Sequence, residues 1–542
     1  MASWLKTAIV LGILALGAIG AAQETVTLSF AYPTWFSDYQ RFVDWYIPAF
    51  EEFMAARGTP VKIQVVELPA PDDPYREAVV LRLAAGTAPD IFAEDTFYIP
   101  ADSLAGYLLD ITELVEAWEW ERWVPAARDA VTFQGRVWGL NRDTDVRPLY
   151  WRKDIFQAAG LPVPWQPTSW EEVLSAARAI EARRAEIAEA LGVSDVVPIA
   201  VKAGTLGGEA TTMQGFYPLL LGAGGRLYDP GSGKWVAKSS ALLAALEFYH
   251  TIYVAEGLAV DPEFWMAGAP VDKIHLYLSN VGQRPGEPAL AMLVTWDGVW
   301  YDAANPQHER YIPEPPGRDA VLGYCKWPAK EPGSGIRGQD FVTISGGWAM
   351  AINSRCQHPE IAFEFLKFVH SKGECLANRL AISGSIRLPA RWDISQDPLF
   401  SQIATDYDIW CSEELVPLTT VRPGLTEYPK VSDLVQETTD RILLGESPEE
   451  VLDWYATSLA RVVGSDNVIE LPSGQRGRIP RGCVPPFFSH AQKAWFLGAT
   501  YGTGLCPVGH FHAGPRPVGG LHLLHQRGPH RPGGRQPPVH RD

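Results

Sequence analysis

Near the start of the chain, hydrophobic residues follow a strand-like pattern and a helix-like pattern in turn. Short apolar runs, typical of buried strands, are separated by stretches in which apolar residues recur every three or four positions, as on a helix face. The predicted strands lie at 26–32, 61–67 and 90–94, and the predicted helices run from Phe42 to Gly58 and from Pro74 to Ala85. Strands joined by helices imply right-handed crossovers and a mostly parallel sheet covered on both faces, so the predicted fold class is α/β.

The rest of the chain repeats this alternation with longer elements. Ser169 and Glu172 have the spacing of a capping box, in which both side chains satisfy backbone groups at the start of a helix. Ser447 is followed by Pro448 and Glu450, which is another helix start signal. The elements predicted here are helices at 171–191, 241–253, 359–370 and from Pro448 onward, and strands at 196–201, 289–296 and 346–353.

A charged residue followed by an apolar run opens the chain. Lys6 precedes sixteen uncharged residues that end in small side chains, a pattern typical of a secretory signal peptide. Sixteen residues fall short of the roughly 20 that a membrane-spanning helix needs. We expect residues 1–22 to be removed and the mature chain to begin near Gln23. Because no cysteine precedes Cys325, we expect an exported periplasmic protein without a lipid anchor.

Composition and charge narrow the class of protein. The chain has 542 residues, of which 46% are hydrophobic and 20% charged, so it is globular rather than disordered. Its length predicts two to four domains or two large lobes. The net charge of −17 would repel phosphate backbones, so we expect no nucleic-acid partner. Separately, we expect the protein to be a monomer.

The last sixty residues differ from the rest. Residues 483–542 carry a net charge of +5, whereas residues 1–482 carry −22, and seven of the twelve histidines fall in the last sixty residues. Their spacing matches no zinc pattern with paired cysteines. We predict that this tail is non-native, for example read out of frame. A disordered extension and a metal-binding tail remain the alternatives.

Several segments, taken in order, resemble a known family. They are AAGTAPDIFAED, AGYLLDIT, FQGRVWGLNRDTDVRPLYWRKDIFQAAGLP, PTSWEEVLSAA, ALAMLVTWDGVW, GGWAMAINSRCQHPEIAFEFLKFV, ISGSIRLPARW and SPEEVLDW. This series resembles the extracellular solute-binding proteins of ABC importers, in the carbohydrate-binding family 1 that includes maltose-binding protein. The resemblance covers roughly residues 25–465, and it depends on the ordered set rather than on one motif.

The resemblance implies a two-lobed periplasmic-binding-protein fold of type II, with a ligand cleft between lobes joined by hinge segments. We place the chain crossings near Arg142 to Arg147 and near Lys326 to Gly335. Proline and glycine in KWPAKEPGSG independently favour the second crossing. The predicted lobes are lobe one, 25–143 plus 336–392, and lobe two, 148–325 plus 393–480.

A sugar site needs planar hydrogen-bonding groups and aromatic rings, because a sugar presents hydroxyls around an apolar ring face. In open α/β sheets, ligands bind beyond the carboxyl ends of the strands. The residues that follow predicted strands and have this chemistry are Trp35, Asp38, Glu94, Asp95, Trp296, Asp297 and Trp300.

The resemblance adds further ligand-binding candidates. Asp145, eight residues before Lys153, falls where sugar binders of the family place a carboxylate, although it could instead be a hinge acid paired with Arg142 or Arg147. Trp300 matches the family's stacking tryptophan, although a tryptophan there could equally be core. The remaining candidates implied by the resemblance are Met213, Gln214, Gly347, Trp348 and Tyr428.

We therefore predict high-affinity binding of a sugar or oligosaccharide and its delivery to the membrane permease subunits of an ABC importer, with no cofactor, no metal and no catalytic residue. The competing class is a secreted glycoside hydrolase. Its paired carboxylates would be Glu94 with Asp95, or Asp143 with Asp145. The metalloprotease, nucleophile-elbow and P-loop motifs are all absent from the sequence, which favours a binder over an enzyme.

Overall fold

The computed structural model describes residues 24–36, 38–70, 72–267, 273–381 and 388–471. Both the predicted signal peptide, residues 1–22, and the atypical tail, residues 483–542, lie outside this part of the chain. Within it the strands are β1 (Val26–Ala31), β2 (Val61–Val65), β3 (Ile91–Asp95), β4 (Thr132–Phe133), β5 (Arg136–Val137), β6 (Asp143–Thr144), β7 (Leu149–Arg152), β8 (Val196–Val197), β9 (Tyr228–Asp229), β10 (Lys234–Lys238), β11 (Ala289–Leu290), β12 (Met292–Val294), β13 (Leu322–Cys325), β14 (Trp327–Pro328), β15 (Phe341–Ser345), β16 (Trp348–Ile352), β17 (Leu388–Pro389), β18 (Thr419–Val421) and β19 (Val468–Glu470).

Helices surround these strands. Those of eight or more residues are α1 (Ile47–Ala56), α2 (Asp72–Ala85), α3 (Trp170–Glu181), α4 (Arg184–Leu191), α5 (Ser240–His250), α6 (Pro359–His370), α7 (Lys372–Ala381), α8 (Tyr428–Leu443) and α9 (Pro448–Val463). Shorter helical segments include Tyr39–Arg41, Phe42–Tyr46, Ile99–Leu104, Thr112–Glu116, Pro125–Val131, Lys153–Ala158, Glu209–Thr211, Thr212–Phe216, Tyr217–Gly222, Thr251–Ala255, Pro262–Met266, Lys273–Leu278, Val299–Asp302, Arg318–Val321, Trp392–Ser395, Phe400–Ile403, Asp406–Trp410 and Cys411–Leu415. No helix in the described ranges has the length and apolar character to cross a membrane.

The first sheet has the strand order β16-β3-β1-β2. Strand β1 pairs in parallel with both β2 and β3, and β16 joins β3 in the antiparallel direction. This arrangement confirms the strands and the parallel pairing predicted from the early alternation. The ring of Phe30 in β1 packs against Phe42, in the helical segment that follows β1, and against Phe365 of α6. Helices therefore cover this sheet through aromatic contacts.

Two predictions of continuous elements are wrong. The strand predicted at 289–296 is divided into β11, which pairs in parallel with β8, and β12, which pairs antiparallel with β7. The partner changes at Ala291, whose N–H donates to Val197 in β8 and whose carbonyl accepts from Arg152 in β7. The helix predicted at 171–191 is divided into α3 and α4. Arg183 leaves helical geometry there, with φ −120° and ψ 13°, and its guanidinium donates to the carbonyl of Ala158.

The chain passes from one sheet to another between β15 and β16. Strand β15 lies in the sheet β14-β15-β18, whereas β16 belongs to the sheet that contains β3. The residues between them are Gly346 and Gly347, and Gly347 has φ +91°, a conformation that favours glycine. We call this passage at Gly346 and Gly347 the crossing. The chain also changes sheet between β13 and β14, at the start of the predicted crossing Lys326 to Gly335, which stays a prediction. The lobe boundaries themselves stay a prediction.

The segment between β6 and β7 lies directly beside the crossing. The backbone N–H of Arg147 donates to Thr343 Oγ1 at 2.8 Å, and the hydroxyls of Thr144 and Ser345 are 2.8 Å apart. Two stretches of chain that are about 200 residues apart in sequence are thus held side by side.

Candidate functional site

Asp145 lies where these two chain segments meet. Its Oδ1 accepts hydrogen bonds from the Gly346 backbone N–H at 2.9 Å and from Ser345 Oγ at 3.0 Å. Its Oδ2 forms an ion pair with Arg147 at 2.8 Å. Burial would raise the pKa of the Asp145 carboxyl, but Arg147 and these hydrogen bonds outweigh burial and lower the pKa. Asp145 is therefore a charged acceptor, and its side chain is still 27% exposed.

Asp297 follows β12 and lies in the same corner. The backbone N–H of Val146, next to Asp145, points to Asp297 Oδ1 at 3.4 Å. The hydroxyls of Tyr150 and Tyr407 donate to the backbone carbonyl of Asp297 at 2.9 and 3.1 Å and so fix its position. Burial first, and then the charge of Asp145, raise the pKa of the Asp297 carboxyl to about 7, against a smaller opposing effect of Arg147.

Asp95 and Trp348 lie on one face of the first sheet. They are directly opposite each other in the β3–β16 register, and opposite residues in a pair of strands project to the same side. Asp95 Oδ1 accepts a hydrogen bond from Arg422 Nη2 at 2.6 Å. Burial raises the pKa of the Asp95 carboxyl, and Arg422 opposes this rise. The two residues place an acceptor beside an indole ring at the carboxyl end of β3.

Arg422, just after β18, connects several polar groups. It also donates to Thr96 Oγ1 at 2.9 Å and to Glu209 Oε1 at 3.1 Å. Tyr428 donates its hydroxyl to the same Glu209 oxygen at 2.7 Å, and Ser432 donates to the other oxygen. Tyr428, predicted as a ligand contact, is itself fully buried in the structure, and its hydroxyl is bound to Glu209.

The two glycines of the crossing bring Met213 into the same region. A Cβ atom on Gly346 would lie 3.0 Å from Arg422 Nη2 and 3.1 Å from Met213 Cε, so both side chains rest against this glycine. The carbonyl of Gly347 accepts a hydrogen bond from the Thr96 N–H at 3.2 Å. Six predicted residues thus meet around the crossing: Asp95, Asp145, Met213, Asp297, Gly347 and Trp348.

Trp35 and Trp348 form part of an aromatic cluster next to Asp95. Their ring centroids are 6.3 Å apart in an edge-to-face arrangement. Phe36 lies 5.2 Å from Trp348, and Tyr75 lies 5.5 Å from Trp35 and 5.9 Å from Trp348, also edge to face. Both tryptophans remain partly exposed, so each keeps ring surface that a ligand could contact.

Two predicted acids lie in internal ion pairs instead. Glu94, only 2% exposed, accepts from Arg76, which also binds Asp102 at 2.6 Å. Burial raises the pKa of the Glu94 carboxyl well above its ordinary value. Asp38 is paired with Arg142 and accepts a hydrogen bond from Tyr32. Neither carboxylate joins the group around the crossing.

The remaining predicted residues surround Asp297. Gln214 Oε1 accepts a hydrogen bond from Thr295 Oγ1 at 2.8 Å, next to Trp296, whose ring covers Gly298. Trp300 is only 5% exposed: its ring stacks on Tyr407 at 4.9 Å, and the Arg318 guanidinium lies 4.0 Å from the ring centroid. This packing leaves little of the Trp300 ring open, whereas Trp348 is more accessible.

Sequence reasoning named Arg147 as one of two alternative partners of Asp145, and the structure confirms this ion pair. It missed the bridging residues Glu209 and Arg422. Arg422 directly follows the short strand β18, so the rule that favours strand ends would have found it had this strand been recognised. In the described ranges, no group of three or more His, Cys, Asp or Glu side chains is arranged to hold a metal. The site thus offers carboxylate acceptors, guanidinium donors and indole rings, a set that suits a ligand with many hydroxyls.

A model of the bacterial extracellular solute-binding protein family matches residues 39–374, well over half of the chain. The chain belongs to this family. The family is non-catalytic, so the prediction that the protein is not an enzyme is confirmed and the glycoside hydrolase alternative is wrong. The protein is a solute-binding protein for an ABC transporter.

Similar proteins agree with this assignment. A probable ABC transporter-binding protein of Deinococcus radiodurans is 22% identical over 478 residues, covering 85% of this chain and 99% of that protein. The maltose-bound MalE3 structure of T. maritima has 21% identity and a TM-score of 0.61, covering 81% of this chain and all of that one. A Thermotoga lettingae solute-binding protein bound to α-D-tagatose has 22% identity and a TM-score of 0.59, covering 82% and 100%. These similarities confirm the mixed α/β fold of periplasmic sugar-binding proteins.

Proposed function

We propose that the protein binds a sugar or oligosaccharide at the crossing of β15 and β16 and delivers it to the permease of an ABC importer. The observation that carries this proposal is the group of carboxylates and guanidinium groups around Gly346 and Gly347, bordered by the partly exposed rings of Trp35 and Trp348. Sugar hydroxyls need such polar partners, and the apolar face of a sugar ring needs a flat aromatic neighbour.

Asp145 is the principal acceptor in this proposal. Its carboxylate is held in one orientation by Gly346, Ser345 and Arg147, so little side-chain entropy is lost when a ligand binds. Each carboxylate oxygen can accept more than one hydrogen bond, and the exposed part of the side chain leaves room for a hydroxyl. Asp297 adds a group that can donate when protonated and accept when ionised.

The ligands of similar structures support a polyhydroxylated compound. They include maltose, α-D-tagatose, cycloalternan in a Listeria monocytogenes protein and ribitol in an Agrobacterium radiobacter protein. These range from an open-chain polyol to a cyclic oligosaccharide, so they favour a chemical class rather than one compound. We also propose that the protein acts as a monomer in the periplasm, after cleavage near Gln23 and without a lipid anchor.

A ligand screen with a matched pair of variants tests this proposal. Thermal shift should detect binding of at least one mono-, oligosaccharide or polyol, because a ligand that binds only the folded state raises its stability. Asp145→Asn should then weaken binding by about tenfold, since hydrogen bonds to charged groups contribute about 1.5 to 3 kcal/mol.

Asp154→Asn is the control. Asp154 is 29% exposed and pairs with the buried Arg152 at 2.6 Å, so it matches Asp145 in exposure and in partner, but it lies away from the crossing. Its replacement should leave affinity within about twofold of wild type. If no sugar or polyol binds, or if both variants bind equally well, the proposed site is refuted.

A further inference from the structure

Arg422 links two sheets that the chain also joins directly at Gly346 and Gly347. It follows β18, which pairs in parallel with β15 in the sheet β14-β15-β18. Its guanidinium leaves that sheet and binds Asp95 and Thr96, which end and follow β3 of the first sheet. The same guanidinium binds Glu209, so one buried cation, 6% exposed, is shared by two carboxylates.

The partners of Arg422 fall on opposite sides of the predicted lobe boundary. Asp95 and Thr96 belong to the predicted lobe one, and Glu209 belongs to lobe two. If the lobes moved apart, Arg422 would lose its ion pair with Asp95, and both charged groups would have to be rehydrated. This ion pair therefore favours the arrangement in which both lobes contact Arg422.

An aromatic contact accompanies the ionic one. The Arg422 guanidinium lies 4.7 Å from the ring centroid of Phe97, in the loop after β3, and Phe97 meets the ring of Tyr428 edge to face at 6.3 Å. Tyr428 begins helix α8 and donates to Glu209. The loop after β3 is therefore held on two sides by residues of the other sheet and helix.

We propose that Arg422 is an interlobe clasp, a positioning residue that holds the closed arrangement and so sets ligand affinity without having to touch the ligand. This inference rests on the proposed function, because it supposes lobes that close on a solute. When only a fraction of the molecules holds the binding-competent arrangement, the apparent affinity falls in proportion to that fraction. Weakening the clasp should therefore lower affinity by populating open molecules.

The test compares Arg422→Gln with a buried arginine that stays within one predicted lobe. Arg152 is fully buried, pairs with Asp154 and donates to the carbonyls of Leu278 and Asn280, all between residues 148 and 325. Small-angle X-ray scattering of the full chain reports closure, and titration with the sugar found in the screen reports affinity. Stopped-flow tryptophan fluorescence gives the dissociation rate.

We expect Arg422→Gln to enlarge the radius of gyration of the ligand-free protein, to weaken affinity by about tenfold, mainly through faster dissociation, and to regain the closed radius at saturating ligand. Asp95→Asn, which removes the lobe-one partner, should have the same effects, and the double variant should add little to either. Arg152→Gln should lower the melting temperature but leave affinity and radius unchanged.

Two outcomes would overturn the clasp. One is a folded Arg422→Gln protein with wild-type affinity and radius. The other is weaker affinity with an unchanged ligand-free radius, which would make Arg422 a ligand contact only. If Arg422→Gln does not fold, the ligand-free radius of Asp95→Asn decides, because Asp95 also belongs to the proposed ligand site and its affinity alone does not separate the two roles. If no ligand is found at all, the proposed function fails, whereas the ligand-free radius still tests the clasp.

Discussion

Asp297 lies close enough to Asp145 for the two carboxyls to influence each other. Burial, and then the charge of Asp145, raise the pKa of Asp297 to about 7, while Arg147 and hydrogen bonds keep the pKa of Asp145 low. One acid of this pair is therefore charged at neutral pH, and the other is divided between its two forms. In the proposed site, this pair would supply a hydroxyl donor and a carboxylate acceptor.

This difference predicts a dependence of stability on pH. In the unfolded chain the pKa of Asp297 is near its ordinary 3.8, whereas in the folded chain it is about 7. Between these values the folded state binds more protons, so the free energy of unfolding should fall as pH rises, by up to roughly 1.4 kcal/mol per pH unit from this group. Asp297→Asn should remove this part of the slope in urea denaturation between pH 5 and pH 7. Equal slopes in the two proteins would contradict the assignment.

A second prediction concerns Arg76, which lies between the buried carboxylates of Glu94 and Asp102. Arg76→Met should lower the free energy of unfolding by about 3 to 5 kcal/mol, because it leaves buried acids without a cation. Arg178 is the control: it also lies between two carboxylates, Glu171 and Glu256, but is 41% exposed. Arg178→Met should cost less than about 1 kcal/mol. Similar losses in the two variants would show that burial does not decide the effect.

Periodicity predicted most of the first sheet because each of its strands and helices carries a local signal. It failed at Ala291, whose backbone partners Val197 and Arg152 lie far away in sequence, and at Arg183, where the backbone leaves helical geometry. The site shows the same division. The structure brings two of the strand-end residues, Asp95 and Asp297, to the crossing. The same rule also selected Glu94, although adjacent strand residues project to opposite faces.

Arg422 and Glu209 illustrate why part of the site could not be predicted. Arg422 lies 327 residues from Asp95 and 213 from Glu209, so no local pattern marks the three as neighbours. A long-range ion pair depends on how the sheets pack, and a single sequence does not contain that information in any periodic form. The family resemblance implied Asp145 and Trp348 as ligand contacts, and the sequence offered Arg147 as a partner of Asp145, but neither indicated Arg422 or Glu209.

The third prediction concerns residues 483–542, whose composition differs from the preceding chain. If this segment is foreign to the binding domain, its deletion should leave the melting temperature and ligand affinity nearly unchanged. Differential scanning calorimetry and titration of the truncated and full chains would measure both. A large fall in either quantity would show that the segment is part of the folded protein.

The last prediction separates the two tryptophans that could contact a sugar. Trp348 is partly exposed beside Asp95, whereas Trp300 is packed between Tyr407 and Arg318. Trp348→Ala should weaken sugar affinity by about tenfold or more, since each factor of ten corresponds to about 1.4 kcal/mol. Trp300→Ala should instead lower the free energy of unfolding by about 3 to 5 kcal/mol, as expected for a large buried side chain.

Titration and urea denaturation of both variants decide between the two roles. Trp300→Phe is the control for lost packing, because it keeps a ring against Tyr407 and should recover much of the stability. The ligand-induced change in tryptophan fluorescence should be reduced in Trp348→Ala and largely kept in Trp300→Ala. The opposite result, in which Trp300→Ala folds normally but loses affinity, would mean that Arg318 moves aside and that the sugar stacks on Trp300, as the family resemblance implies.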